Sequence, residues 1–116
     1  MKTSSCKAKG RRLQQHVANR IKEHFFLPDT DVKSVPMGSQ GADIWLSKTA
    51  RDLFPFDVEC KAQESLSVWA AFEQAKSHGP NPLLVFSRNR SEPLCVLTFE
   101  QLLKILEYPH QHHEQI

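Results

Sequence analysis

Two acids and a lysine carry the first chemical signal in this chain. Asp43 follows the turn Gly38-Ser39-Gln40-Gly41, and sixteen residues on comes Glu59-Cys60-Lys61. Glu59 and Lys61 are two apart in a strand-like run, so their side chains share one face with Asp57, while Phe56, Val58 and Cys60 take the other. If the segments around Asp43 and Glu59 pair, their carboxylates come within a few ångströms. Two such groups repel unless one is protonated or a cation sits between them. A hard divalent ion is the natural occupant: Mg²⁺ takes oxygen ligands and is commonly held by one or two carboxylates plus a substrate phosphate. The backbone carbonyl of Cys60 is a further candidate ligand. An ammonium group beside such an ion can orient an attacking water or stabilise developing charge, which suits phosphodiester hydrolysis. Asp57, near the start of the same face, reads as a rim charge paired with Lys48 or Arg51.

The elements that must position these residues follow from periodicity. Leu13, Val17, Ile21 and Phe25 recur at helical spacing over residues 11–26, with Ala18 on their face. Pro28 closes that helix. Residues 1–9 read as a flexible basic N-terminus and 109–116 as a polar, frayed tail. Between them come a short extended stretch, the glycine turn, the strand "DIWLS", a possible helical turn in "SKTARDLFP", and the strand "FDVECKA". A helix capped by Ser67 or Ser65 follows, with Val68, Ala71, Phe72 and Ala75 inward and Gln74 at the edge of that face. Two strands, "LLVFS" and "LCVLTF", and a closing helix capped by Thr98 complete the chain. The order αβββαββα describes an α/β domain with a central mixed sheet flanked by helices. Its first three strands form an antiparallel meander, and the strand after the central helix returns parallel to its neighbour. Trp45 and Trp69 are expected in packing, and Cys60 and Cys95 as small buried hydrophobes.

Composition sets the class. The 116 residues suit one domain, and no apolar run approaches the ~18 residues of a membrane span. The chain opens without the apolar stretch of a secretory signal, so a cytoplasmic protein is expected. Three widely spaced cysteines without a CxxC pair argue against a disulfide framework or a cysteine zinc site. The net charge is +2, but residues 1–26 hold seven Lys/Arg against one acid. Lys7, Lys9, Arg11 and Arg12 can therefore supply sequence-independent phosphate contacts. Arg88 and Arg90 in "SRNRSEP" are either an ordinary polar turn or a phosphate clamp. Ser39 and Gln40 lie where they can touch a nucleic-acid backbone.

Asp43 with Glu59-Cys60-Lys61, in this order of elements, resembles the PD-(D/E)XK nuclease superfamily. "KGRRLQQHVANRI" followed by "GSQGADI" is similar to archaeal-type Holliday-junction resolvases and small phage nucleases within it. The resemblance covers residues 7–100 and implies a restriction-endonuclease-like core. It also implies a DNA endonuclease that uses Mg²⁺, with Mn²⁺ able to substitute, and acts on branched or structured DNA as a homodimer in a bacterial or phage-infected cell. Asp43 and Glu59 would bind metal and Lys61 would support the attacking water. The first-helix glutamate of resolvase-like members is matched by Gln14, which falls within the apolar stripe. Gln74 would take a supporting role. Alternatives are a homing- or restriction-type nuclease of the same fold, an enzyme acting on RNA, and a catalytically silent nucleic-acid-binding module.

Overall fold

The computed structural model describes the backbone of residues 2–114 and the side chains of residues 5–107. Helix α1 (Lys2–Phe25) leads into β1 (Val32–Ser34), β2 (Ile44–Leu46) and α2 (Lys48–Leu53). Then come β3 (Asp57–Ala62), α3 (Val68–Lys76), β4 (Pro82–Ser87), β5 (Leu94–Val96) and α4 (Phe99–Glu114). No helix among the described residues is long and apolar enough to cross a membrane.

The apolar stripe of α1 does what its spacing predicts. Leu13, Val17, Ala18 and Ile21 are buried against Val32, Ile44, Leu46, Phe56, Val58, Cys60, Leu83 and Val85. Each of the large side chains in that set contributes roughly 1.5–3 kcal/mol of burial. The helix stops because Phe26 turns left-handed (φ 56°), letting the Leu27 N–H reach the Lys22 carbonyl at 2.9 Å. This is the Schellman way of using an orphan carbonyl, here without the usual glycine. Its other end differs from expectation. Residues 2–9 are helical rather than flexible; lysines and alanine favour the helix, and Gly10 lets it pass close to Met37. The polar end after Glu107 likewise continues α4 to Glu114 instead of fraying earlier.

The sheet also departs from the expected meander. β1 and β2 pair antiparallel as a two-stranded unit. A separate three-stranded mixed sheet has the order β3-β4-β5, with β3 parallel to β4 and β4 antiparallel to β5. The parallel return after α3 is as expected; the single central sheet is not. The seam between the two units falls at Asp43. Its N–H donates to the Val58 carbonyl at 2.8 Å, but its carboxylate Oδ2, not a main-chain carbonyl, accepts the Cys60 N–H at 2.7 Å. A side chain has taken the acceptor place that a continuing strand would fill.

Three further side chains sit where the sequence did not put them. Trp69 is 85% exposed and Trp45 half-exposed, with the Lys33 ammonium 5.7 Å from its ring centre. Cys95 is exposed because β5 is the sheet's edge. The capping expectations fare better: the Thr98 hydroxyl accepts the Gln101 N–H at 3.1 Å, and Ser67 is the N-cap of α3, though without a side-chain bond.

Candidate active site

The core sheet divides the side chains of β3 by parity. Val58 and Cys60 enter the cluster under α1. Glu59 and Lys61 face the opposite side, where α3 packs on β3 and β4 through the buried Ala71 and Ala75. Main-chain groups alternate in the plane of the sheet. Asp57 and Gln63 donate toward the β4 side, to Asn81 and Ser87, whereas Val58 and Cys60 bond to Asp43. The Cys60 carbonyl therefore lies on the Asp43 edge, as a candidate ligand should.

Gly41 in the left-handed region (φ 90°) brings the chain around into Asp43. Asp43, Glu59 and Lys61 then line one open cavity of about 470 Å³ together with Ser39, Gln40 and Gln74. His78 also lines it, and the sequence reading missed it. Its Nε2 lies 2.5 Å from Glu59 Oε1, and Lys61 Nζ lies 3.5 Å from Glu59 Oε2. Glu59, only 8% exposed, is thus held from both sides. His78 lies just past the end of α3, at the start of the breaker "HGPNP", where no local pattern marks it as a site residue.

Other predicted residues divide. Ser39, Gln40 and Gln74 are beside the acids. Gln14 is buried as its wheel position suggests, but it does not line this cavity, and its Oε1 has no hydrogen-bond partner. Asp57 is no rim charge: it is buried, accepts the Asn81 N–H at 3.0 Å and pairs with Arg51 at 3.1 Å. Lys48 pairs with Asp52 instead. Lys7 and Arg11 are exposed on α1, while Lys9, Arg12, Arg88 and Arg90 gather elsewhere, in a second cavity.

The electrostatics suit a cation. Burial pushes the Asp43 carboxyl above its ordinary range and the Glu59 charge adds to this, opposed by the Cys60 N–H, His78 and Lys61. The donor set fits a hard divalent ion in chemistry, with two carboxylates and a main-chain carbonyl on one edge. It is a sparse set: among the described residues no three His, Cys, Asp or Glu side chains are grouped to hold a metal. Substrate or water oxygens would have to complete the shell.

The Asp43 shift has a consequence for stability. The folded chain holds this proton more tightly than the unfolded one, so stability falls as pH rises from about 4 to the higher folded-state value. Above that window the ionised carboxylate is a constant cost. Asp43→Asn keeps an acceptor for the Cys60 N–H and removes the charge. In chelator at pH 7 it is expected to melt above the parent. The difference should close below pH 4, and Mg²⁺ should stabilise the parent alone. A lower melting point for the Asn protein at pH 7 would contradict this electrostatic account.

Burial, with the nearby Asp43 and Glu59 charges, pushes the Cys60 thiol far above its usual range. Thiolate is the reactive form. Titration of the native protein with a thiol reagent at pH 8 should show two fast groups, the exposed Cys6 and Cys95, and a third only on unfolding. Three fast thiols would mean that the core around Cys60 opens readily.

Comparison of the chain with protein-family models, with curated proteins and with solved structures found no match.

Proposed function

We propose that this chain is a metal-dependent endonuclease that hydrolyses phosphodiester bonds in DNA, with branched or otherwise structured DNA as its preferred target. One observation carries the reading: Asp43, Glu59 and Lys61 reach a single open, polar cavity from adjoining segments joined by the Asp43 side chain itself. Asp43, Glu59 and the Cys60 carbonyl would hold Mg²⁺ or Mn²⁺, which supplies a Lewis acid and a water of lowered pKa. Lys61 places its ammonium beside that water or the developing phosphorane charge. His78 fixes Glu59 in orientation, and Gln74, Ser39 and Gln40 offer hydrogen bonds to water or to the strand.

The test is cleavage of a four-way junction, a flap and a plain duplex, each with and without Mg²⁺, beside the Glu59→Ala protein. Metal-dependent cutting of the branched substrates, absent in Glu59→Ala, is the expected result. Equal cutting in excess chelator would overturn the metal reading. Faster cutting of the plain duplex would overturn the structural preference.

A second reading is favoured by one fact. Both Glu59 oxygens are already engaged, by His78 and Lys61. A silent nucleic-acid-binding module needs no more than this, and it would bind all three DNAs and cut none.

The proposal includes a homodimer, which lets one site address each strand. Phe99, Leu102, Leu103 and Leu106 form an exposed stripe on α4 at helical spacing, and Trp45 and Leu53 are also exposed. Phe54, by contrast, packs against Phe25 and Phe56 in the core. Sedimentation should give twice the 13.3 kDa chain mass; a monomer would remove this part of the proposal.

A further inference from the structure

The cations expected to meet phosphate come from two stretches far apart in sequence, and the fold draws them into one cavity of about 350 Å³. Lys9, Arg12 and His16 project into it from successive turns of α1, at a spacing that keeps them on one face. Arg88 and Arg90 enter from the loop between β4 and β5. Ala62 and Ser87, the last residues of the parallel strands β3 and β4, also line it. The carboxyl ends of parallel strands are where α/β sheets commonly take ligands. This cavity shares no lining residue with the one that holds Asp43 and Glu59. Ala62 packs with the α1-side core and Lys61 faces the other way, so the two cavities open from opposite faces of β3.

The arginine loop is built rather than loose. The Arg88 N–H donates to the Ser91 hydroxyl at 3.2 Å, and the Ser91 N–H returns to the Arg88 carbonyl at 3.2 Å. Arg90 sits left-handed (φ 62°). The cavity's one carboxylate, Glu64, is spent on this loop, accepting the Asn89 N–H at 2.6 Å. Among the described residues no carboxylate pairs with Lys9, Arg12, Arg88 or Arg90. Four like charges facing one cavity without a partner repel one another, and a bound anion relieves that repulsion. Arginine's paired donors match phosphate oxygens.

We infer that this cavity is a phosphate-binding subsite that grips a phosphodiester of the nucleic acid away from the scissile bond. This rests on the nuclease reading for the source of the phosphate, though not for the site's chemistry. It separates holding the strand from cutting it, on opposite sides of β3.

The experiment measures binding of a fluorescent duplex by anisotropy in chelator, where no cleavage occurs. Arg88→Ala/Arg90→Ala should bind about tenfold more weakly at ~0.1 M salt, and the slope of log K against log salt should become shallower by about 1–2. Its helix content and melting point should match the parent. Arg88→Lys/Arg90→Lys should keep the salt slope and recover part of the affinity. In a second arm, inorganic phosphate is titrated into the parent and the Asn89 and Ser91 amides are followed by NMR. Shifts that vanish in the double-alanine protein support the anion site even if the parent binds no plain duplex; a parent that shows them yet binds neither duplex nor four-way junction keeps the site and loses the nuclease reading. If parent and double-alanine proteins bind duplex alike with one salt slope, the inference is overturned while the nuclease reading survives.

Discussion

Lys61→Ala should bind a nucleic-acid substrate as the parent does and cleave it about 10²–10³ times more slowly, the loss expected when one charge aimed at a transition state is removed. The Lys61 side chain is three-quarters shielded, and its Nζ sits 3.5 Å from Glu59 Oε2. It lines the cavity with Asp43, so its charge is felt where an attacking water and the phosphoryl oxygens would lie. Because it stays largely outside ground-state binding, the effect belongs in kcat and not in KM. Lys61→Arg should recover little, since a planar fork cannot occupy the place of a compact ammonium.

Lys61 has a second connection that the same experiment resolves. It also pairs with Glu59, and its loss frees that carboxylate to turn away from the place where it would hold a cation. If positioning of the metal were its whole role, raising Mg²⁺ would restore the rate. If Lys61 acts on the reacting atoms, the rate stays low at saturating Mg²⁺. A Lys61→Ala protein that cuts within about twofold of the parent at every Mg²⁺ concentration would leave the lysine as a structural partner of Glu59 and nothing more.

The parts of this fold that can be read from the sequence are those governed by local period. The α1 stripe and the two opposed faces of β3 obey helix and strand geometry, and burial follows the spacing on α1, while Asp57–Cys60 of β3 are buried on both faces. The meeting of Asp43 and Glu59 was legible because a glycine turn delivers one acid to the edge of a strand that carries the other. What was hidden depends on contacts across the chain. His78 looks like part of a breaker, "HGPNP"; only the docking of α3 on β3 brings it to an acid nineteen residues earlier. The sheet splits because Asp43 gives a side-chain oxygen where a strand would give a carbonyl, which no alternation of hydrophobic residues records. Asp57 was misjudged for a related reason. Its burial is permitted by partners, Arg51 on α2 and the Asn81 amide, that lie in separate elements. Trp69 and Cys95 show the converse, since apolar residues on a helix flank or an edge strand stay exposed when no layer covers them.

Gly79→Ala should lower the stability of the protein by about 2–4 kcal/mol, the cost of disrupting a buried, paired carboxylate, and its melting point by roughly 10 °C or more. A methyl group on Gly79 would lie 2.5 Å from the Asp57 Cγ and 2.9 Å from its Oδ1, distances that no packed side chain tolerates. The backbone of Gly79 lies outside the left-handed region, so alanine meets no intrinsic strain there and the penalty is one of space. Asp57 has nowhere to go: it is buried, paired with Arg51 and bonded to the Asn81 N–H. Removing the acid should remove the conflict. In an Asp57→Ala background the same glycine substitution should cost less than about 1 kcal/mol, a coupling that a double-mutant cycle reads directly. The strain should also reach the candidate site, because Gly79 follows His78 and Asp57 precedes Glu59 by two residues on one face of β3. Any residual cleavage by Gly79→Ala should therefore fall along with its melting point and return in part in the double variant. A Gly79→Ala protein that melts within about 2 °C of the parent would mean that Asp57 moves freely, and the tightly held wall behind Glu59 would have to be abandoned.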